Sequence, residues 1–314
     1  MTSLSRRSFL LLAAAGALLG CVRRDRLRIG LALGGGGAKG LAHIPMLEAL
    51  DELGLRPHRI AGTSIGAIVG ALYAAGRSAA EIRALVEQFL FPADDGEDTP
   101  LFSFPRSLRW LDFIDPAGPG GLLDSGDFIA FVGETLAVRE FRELDIPLAV
   151  VAAELWSGTP VVLDSGPLLP ALQASIALPG VFPPVEIDGH SLVDGGVADP
   201  LPYGLLMEDC DLVIAVDVSG DPHDGAAGPP SFMGALFHSF HTMSQNILRE
   251  KLRQRRPHIY VKPDIRGVRV LEFYKAQEVF EQAQPVKREL LRTLRRATTG
   301  SGGIPGCSLR TEDT

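Results

Sequence analysis

Short, nearly continuous apolar runs alternate along this chain with longer stretches whose apolar residues recur every three or four positions. Leu27–Leu33 is the first such run and ends in four glycines, which predicts a buried strand. Gly40–Leu53 places Leu41, Ile44, Leu47, Leu50 and Leu53 on one helical face and stops at Gly54; Pro45, about one turn in, predicts a bend at its start. Arg59–Gly62 reads as a second short strand and Ile65–Ala75 as a small-residue helix ended by Gly76. A further helix opens at Ser78, with Glu81 completing a capping box. After an irregular stretch over Phe91–Gly121, strands are expected at Ile146–Ala153 and Pro160–Leu163, joined by a turn at Trp156-Ser157-Gly158. A helix over Leu168–Ala177, a buried strand over Asp211–Val218, a long helix over Ser231–Leu252 and a strand over His258–Val261 follow. Val270–Ala297 is helical with a break near Pro285, and 299–314 reads as a flexible tail. Such alternation predicts a three-layer α/β domain with a mainly parallel sheet. No self-similar period points to a repeat array.

Composition adds three limits. With 314 residues, 46% hydrophobic and 22% charged, the chain can bury a sizeable core as one large or two small domains. A net charge of −8 and the lack of a basic stripe exclude nucleic acid as a partner. Three cysteines cannot make a disulfide framework; a Cys210–Cys307 bridge and an unpaired core Cys210 both stay open.

Arg6-Arg7 ahead of an apolar run from Phe9 to Leu19 resembles a twin-arginine export signal, and the run is too short to span a bilayer. Leu18-Leu19-Gly20-Cys21 resembles a lipoprotein cleavage motif. It implies removal of residues 1–20, lipid on Cys21, a tether over 21–26 and a place on the membrane surface of the cell envelope. The competing reading is an uncleaved anchor with Cys21 incidental.

Three motifs carry chemistry. Gly34-Gly35-Gly36-Gly37-Ala38-Lys39-Gly40, between a strand and a helix, aims backbone N–H groups into a cavity and suits a phosphate or an oxyanion. Gly35, Gly37 and Gly40 also fit the dinucleotide spacing, but the second strand ends in Arg59-Ile60-Ala61-Gly62-Thr63-Ser64 without the acidic residue a ribose needs. Gly62-Thr63-Ser64-Ile65-Gly66 has the form of a nucleophile elbow at the next strand-to-helix junction. Asp194-Gly195-Gly196 ends a short apolar strand and, taken alone, is a turn. A serine needs a base. His190, His223, His238 and His241 offer an α/β-hydrolase order, yet several strands precede the nucleophile in that fold, and here Ser64 follows only the second.

Together and in this order, the three motifs resemble the patatin-like phospholipase family. Ala174–Pro184 and Lys39-Gly40-Leu41-Ala42-His43 are similar to further segments of it, and the resemblance covers Leu27 to Asp217, extending toward Ala297, with little help over Phe91–Gly121. It implies a three-layer α/β/α patatin-like domain over 27–298 with a mainly parallel central sheet. It also implies a Ser64–Asp194 dyad without histidine, with Ser64 as nucleophile and Asp194 as base. The amides of Gly35, Gly36 and Gly37, with Ala38 as a further candidate, would form the oxyanion hole, and Lys39 would add positive charge. Gly40, Gly62, Gly66, Gly195 and Gly196 complete the motifs. Phospholipids or lysophospholipids are the implied substrates, and neither cofactor nor metal is expected. One departure stands out: Asp199 occupies a position where relatives often carry asparagine, and a second carboxylate there would raise the pKa of Asp194.

Smaller questions remain open in the sequence. His43 reads as a packed, hydrogen-bonded residue, and Lys39 competes with a plain solvated charge. Phe102, Phe104, Trp110 and Phe113 form either a lid or ordinary core. Two function classes follow, an acyl-ester hydrolase and a non-catalytic envelope scaffold; the intact Ser64, Asp194 and glycine loop disfavour the second.

Overall fold

All five residues of β1 (Ile29–Leu33) are buried, as befits a strand covered on both faces that needs no alternation of polar and apolar positions. The computed structural model describes residues 27–90, 125–220, 232–299 and 307–309. β1 leads through a 3₁₀ turn (Gly37–Ala42) into α1 (His43–Asp51), followed by β2 (Arg59–Thr63), α2 (Ile65–Ala74) and α3 (Ala79–Leu90). The next elements are α4 (Gly126–Leu136), β3 (Leu148–Glu154), β4 (Pro160–Leu163) and α5 (Leu168–Ile176). A hairpin of β5 (Val185–Ile187) and β6 (His190–Asp194) precedes β7 (Leu212–Val216), α6 (Phe232–Gln254), β8 (Ile259–Val261), α7 (Ala276–Thr299) and β9 (Cys307–Leu309).

Among the described residues these strands form one nine-stranded sheet, ordered β5-β6-β3-β2-β1-β7-β8-β9 with β4 also on β3. Strands β1, β2, β3, β7, β8 and β9 pair in parallel; β4 and β6 lie antiparallel against β3. The sheet is mainly parallel, as expected. Alternate side chains sort its two faces. Leu31, Leu33 and Ile60 join the large core under α1, α2, α3 and α7, while Ala32, Ala61, Ala149 and Ala215 meet Leu201, Tyr203, Leu206 and Leu248 on the opposite side. The result is the three-layer α/β/α arrangement.

Several local expectations change. The helix expected over Gly40–Leu53 begins as 3₁₀, and Pro45 falls in the first turn of α1, where its missing N–H has no intrahelical partner to lose. α7 runs unbroken through Pro285, because the ring sits on its exposed side, where the lost bond to the turn before is open to water. The stretch read as a flexible tail contributes β9, whose residues find the outer edge of β8 unpaired. The capping box is present: Ser78 N–H donates to Glu81 Oε2 at 2.7 Å and Glu81 N–H to Ser78 Oγ at 3.2 Å. Cys210 is a free, buried thiol. The signal segment, Cys21, the tether, His223 and the aromatic stretch from Phe102 to Phe113 lie outside the described residues.

Candidate active site

Ser64 stands between β2 and α2 with φ 56° and ψ −129°, a backbone conformation that a residue with a side chain adopts only under constraint. The neighbours supply that constraint. Ser64 N–H donates to Ser175 Oγ at 2.8 Å, and Ser175 Oγ donates in turn to Val151 O at 2.6 Å. The flanking glycines allow the turn to close: a Cβ on Gly66 would lie 2.3 Å from Leu33 O, and one on Gly62 2.6 Å from Ala67 Cα. The motif thus lifts the Ser64 hydroxyl off the carboxyl end of β2, as its spacing predicts.

Asp194 reaches that hydroxyl because β6 runs backwards. β3 pairs in parallel with β2, placing Val151 opposite Thr63, and antiparallel with β6, placing Ala152 opposite Asp194. The end of β6 and the end of β2 therefore meet across β3. Ser64 Oγ donates to Asp194 Oδ2 at 2.6 Å, and Gly196 N–H donates to Oδ1 at 2.7 Å. Gly195 passes so close to β3 that a Cβ would sit 2.3 Å from Val151 O. Burial lifts the Asp194 carboxyl to about 6, against the Ser64 and Gly196 hydrogen bonds that pull it down. Asp199 plays no part in this. Its carboxylate pairs with Lys251 Nζ at 2.5 Å, so the expectation that a second negative charge raises Asp194 is replaced by plain desolvation. The hairpin that delivers Asp194 turns on Asp188-Gly189, both with positive φ, a local signal that predicts a two-residue hairpin directly from sequence.

The glycine loop lies against the serine, with a Cβ on Gly35 falling 3.3 Å from Ser64 Cβ. Two of the four amides expected to face an oxyanion are already engaged: Gly35 N–H donates to Pro200 O at 3.1 Å and Ala38 N–H to Val270 O at 2.8 Å. In this structure the Gly35 and Ala38 amides are therefore held within the fold. Gly36 and Gly37 are left, their amides without a partner among the described residues, and Gly37 borders the same cavity as Ser64 and Asp194. Gly40 is buried in the 3₁₀ turn beneath Ile65. Lys39 is only 6% exposed and donates to Ser219 O at 3.4 Å, so it is no solvated surface charge.

His43 is fully buried, its Nε2–H donates to Gly34 O at 2.8 Å, and burial holds its pKa down to about 4. It is a neutral packing residue behind the loop, as its position in the first helical turns suggests. Among the described residues no histidine bonds to Ser64 or Asp194, whose side chains and elbow amide are partnered by each other, Ser175 and Gly196.

The model of the patatin-like phospholipase family matches residues 31–207, more than half of the chain and all three motifs. The chain belongs to the patatin-like phospholipase family. Among its relatives is an uncharacterized NTE family protein of Mycobacterium tuberculosis, 37% identical over 204 residues that cover 64% of this chain and 51% of that protein. A protein of Kluyveromyces lactis named lysophospholipase NTE1 is 27% identical over 292 residues, covering 85% of this chain and 19% of that one. The chain spans about half the length of the first curated relatives it matches. Among solved structures, VipD from Legionella pneumophila superposes with a TM-score of 0.46 at 15% identity, covering 85% of this chain and 67% of that one.

In this patatin-like domain an apolar cavity of about 170 Å³ leads inward from Ser64 and Asp194. Ile65, Ile68, Val69 and Leu72 give it one face of α2, at the spacing of a single helical stripe, so it runs about 10 Å along that helix. Its lining also includes an aromatic group missed in the sequence: the ring of Phe89 of α3 lies tilted by 34° against that of Phe131 of α4, with centroids 4.7 Å apart, and meets Phe128 edge-on at 6.2 Å.

Proposed function

We propose that this chain is a serine hydrolase of lipid acyl esters, of phospholipase A or lysophospholipase type. The observation that carries the reading is the 2.6 Å Ser64–Asp194 hydrogen bond at the mouth of a cavity lined almost wholly by apolar side chains. Family membership and the relative named lysophospholipase support the substrate class. Ser64 Oγ attacks the ester carbonyl carbon while its proton passes to Asp194 Oδ2. The carbonyl oxygen, now negative, sits against the Gly36 and Gly37 amides. Collapse breaks the C–O bond, the departing alcohol takes the proton from Asp194, and an acyl-Ser64 ester remains. Water, deprotonated by the same carboxylate, releases the fatty acid and restores Ser64. Cleavage before a lipidated Cys21 would hold this chemistry at the cell envelope, a reading supported by the arginine pair and the Leu18–Cys21 pattern.

The test is hydrolysis of p-nitrophenyl esters of rising chain length and of lysophosphatidylcholine. With about 0.8 kcal/mol gained per buried CH₂, kcat/KM should rise about fourfold per methylene until the cavity is filled, then level off. Leu72→Trp, filling the inner end, should leave acetate and butyrate esters unchanged and lower long-chain turnover by about tenfold or more. A folded protein that turns over no ester at all is a scaffold, and the hydrolase reading is then wrong.

The dyad also sets a pH limit. Asp194 accepts a proton only as carboxylate, and its pKa is raised to about 6, so the active form is lost as pH falls through that value. We expect kcat/KM to fall about tenfold per unit below it and to be flat from about 7 upward. A rate profile between pH 4.5 and 8.5 on p-nitrophenyl butyrate checks this; a flat acid limb would mean that Asp194 is not the base.

A further inference from the structure

The three motifs meet on one short segment. Asp199 N–H donates to Gly195 O at 2.7 Å, next to the base Asp194. Thr63 Oγ1 donates to Asp199 O at 2.8 Å, next to the nucleophile Ser64. Pro200 O accepts the Gly35 N–H at 3.1 Å, next to the Gly36 and Gly37 amides. Asp199-Pro200-Leu201 is therefore a strut that touches each reacting group at one residue's remove, and the rigid proline ring couples its ends.

A single side chain from a distant part of the chain grips that strut. Lys251 Nζ, on α6, binds Asp199 Oδ1 at 2.5 Å and Leu201 O at 3.0 Å. The pair is largely sheltered, with side-chain exposures of 24% and 17%, and the ammonium lies 4.8 Å from the centre of the Tyr203 ring. Seven residues earlier on the same helical face, Ser244 Oγ donates to Gly196 O at 2.8 Å. α6 thus presses on the catalytic end of the sheet at two points two turns apart.

We propose that Lys251 is a positioning residue: by fixing Asp199 and Leu201 it holds the elbow, the Asp194 turn and the glycine loop in one register. This rests on the hydrolase reading above. Lys251 touches no reacting atom, and the acyl cavity lies on the other face of the sheet, so its loss should act on kcat and spare KM. Displacing reacting groups by about 1 Å is enough to lower rates by about 10²-fold.

Removing Lys251 alone strands a sheltered carboxylate, which can unfold the protein for reasons unrelated to positioning. The discriminating protein is therefore the double variant Lys251→Met/Asp199→Asn, which removes the grip and leaves no orphan charge. Its kcat on p-nitrophenyl butyrate should fall 10- to 100-fold, with KM within threefold of wild type and an unchanged thermal midpoint. Lys251→Arg, which keeps a cation on Asp199, should recover most of the loss. A double variant with kcat within twofold of wild type would show that Lys251 only neutralises Asp199, and would overturn the inference. Equal loss in Lys251→Arg, with both proteins folded, would overturn it too. A wild type without turnover that Ser64→Ala abolishes would instead bring down the hydrolase reading, and this inference with it.

Discussion

Replacing Ser64 by alanine is expected to lower ester turnover by at least about 10³-fold while leaving the fold intact, since removing a nucleophile that acts as a unit with its base abolishes most of the pair's contribution. Asp194→Asn should be nearly as damaging. The amide can still accept the Gly196 N–H, at 2.7 Å in the native turn, so the local structure survives, but it cannot take the Ser64 proton. The informative controls are histidines. His190→Ala, His238→Ala and His241→Ala should each keep most of the wild-type rate, because none bonds to Ser64 or Asp194 in the described structure. A single histidine variant as inactive as Ser64→Ala would replace the dyad with a triad. Circular dichroism and thermal midpoints, measured alongside, separate loss of chemistry from loss of fold.

What the sequence makes legible here is whatever depends on near neighbours. Glycines two residues either side of Ser64 specify a strained turn, and the elbow is found where the spacing puts it. The buried strands β1 and β7 announce themselves by unbroken apolar runs. Features set by distant partners are another matter. Nothing local marks Ser175 as the acceptor that steadies the elbow, for it is one serine in a mostly apolar helix, two residues after Gln173. Lys251 sits among the charged residues at the end of α6, and only the folded chain shows it turned inward on Asp199. α4 escapes notice because its first turn carries no capping side chain, although Phe128, Ile129, Val132 and Leu136 repeat at helical spacing. The choice among loop amides is likewise tertiary: Pro200 and Val270, far along the chain, occupy two of the four.

That last point yields the second large effect. Gly37 has φ +56°, and a Cβ added there would lie 2.3 Å from Val270 O and 2.7 Å from Val270 Cγ1. Alanine at this position must either leave the left-handed conformation or stay in it at about 1–2 kcal/mol and push the loop off Val270. Either motion turns the Gly37 amide away from the developing oxyanion, and losing one such donor lowers kcat by about 10²- to 10³-fold. Ala38→Gly is the matched comparison. The Ala38 amide is already spent on Val270 O at 2.8 Å, so trimming its methyl should change kcat by less than about tenfold, the part due to a looser backbone. The two variants together distinguish a hole made by Gly36 and Gly37 from one made by the whole loop. Single-turnover acylation by a p-nitrophenyl ester reads the effect at the step where the oxyanion forms. Gly37→Ala that acylates Ser64 within threefold of the wild-type rate while remaining folded would remove Gly37 from the hole; Ala38→Gly falling as far as Gly37→Ala would mean that the Ala38–Val270 bond opens when substrate binds.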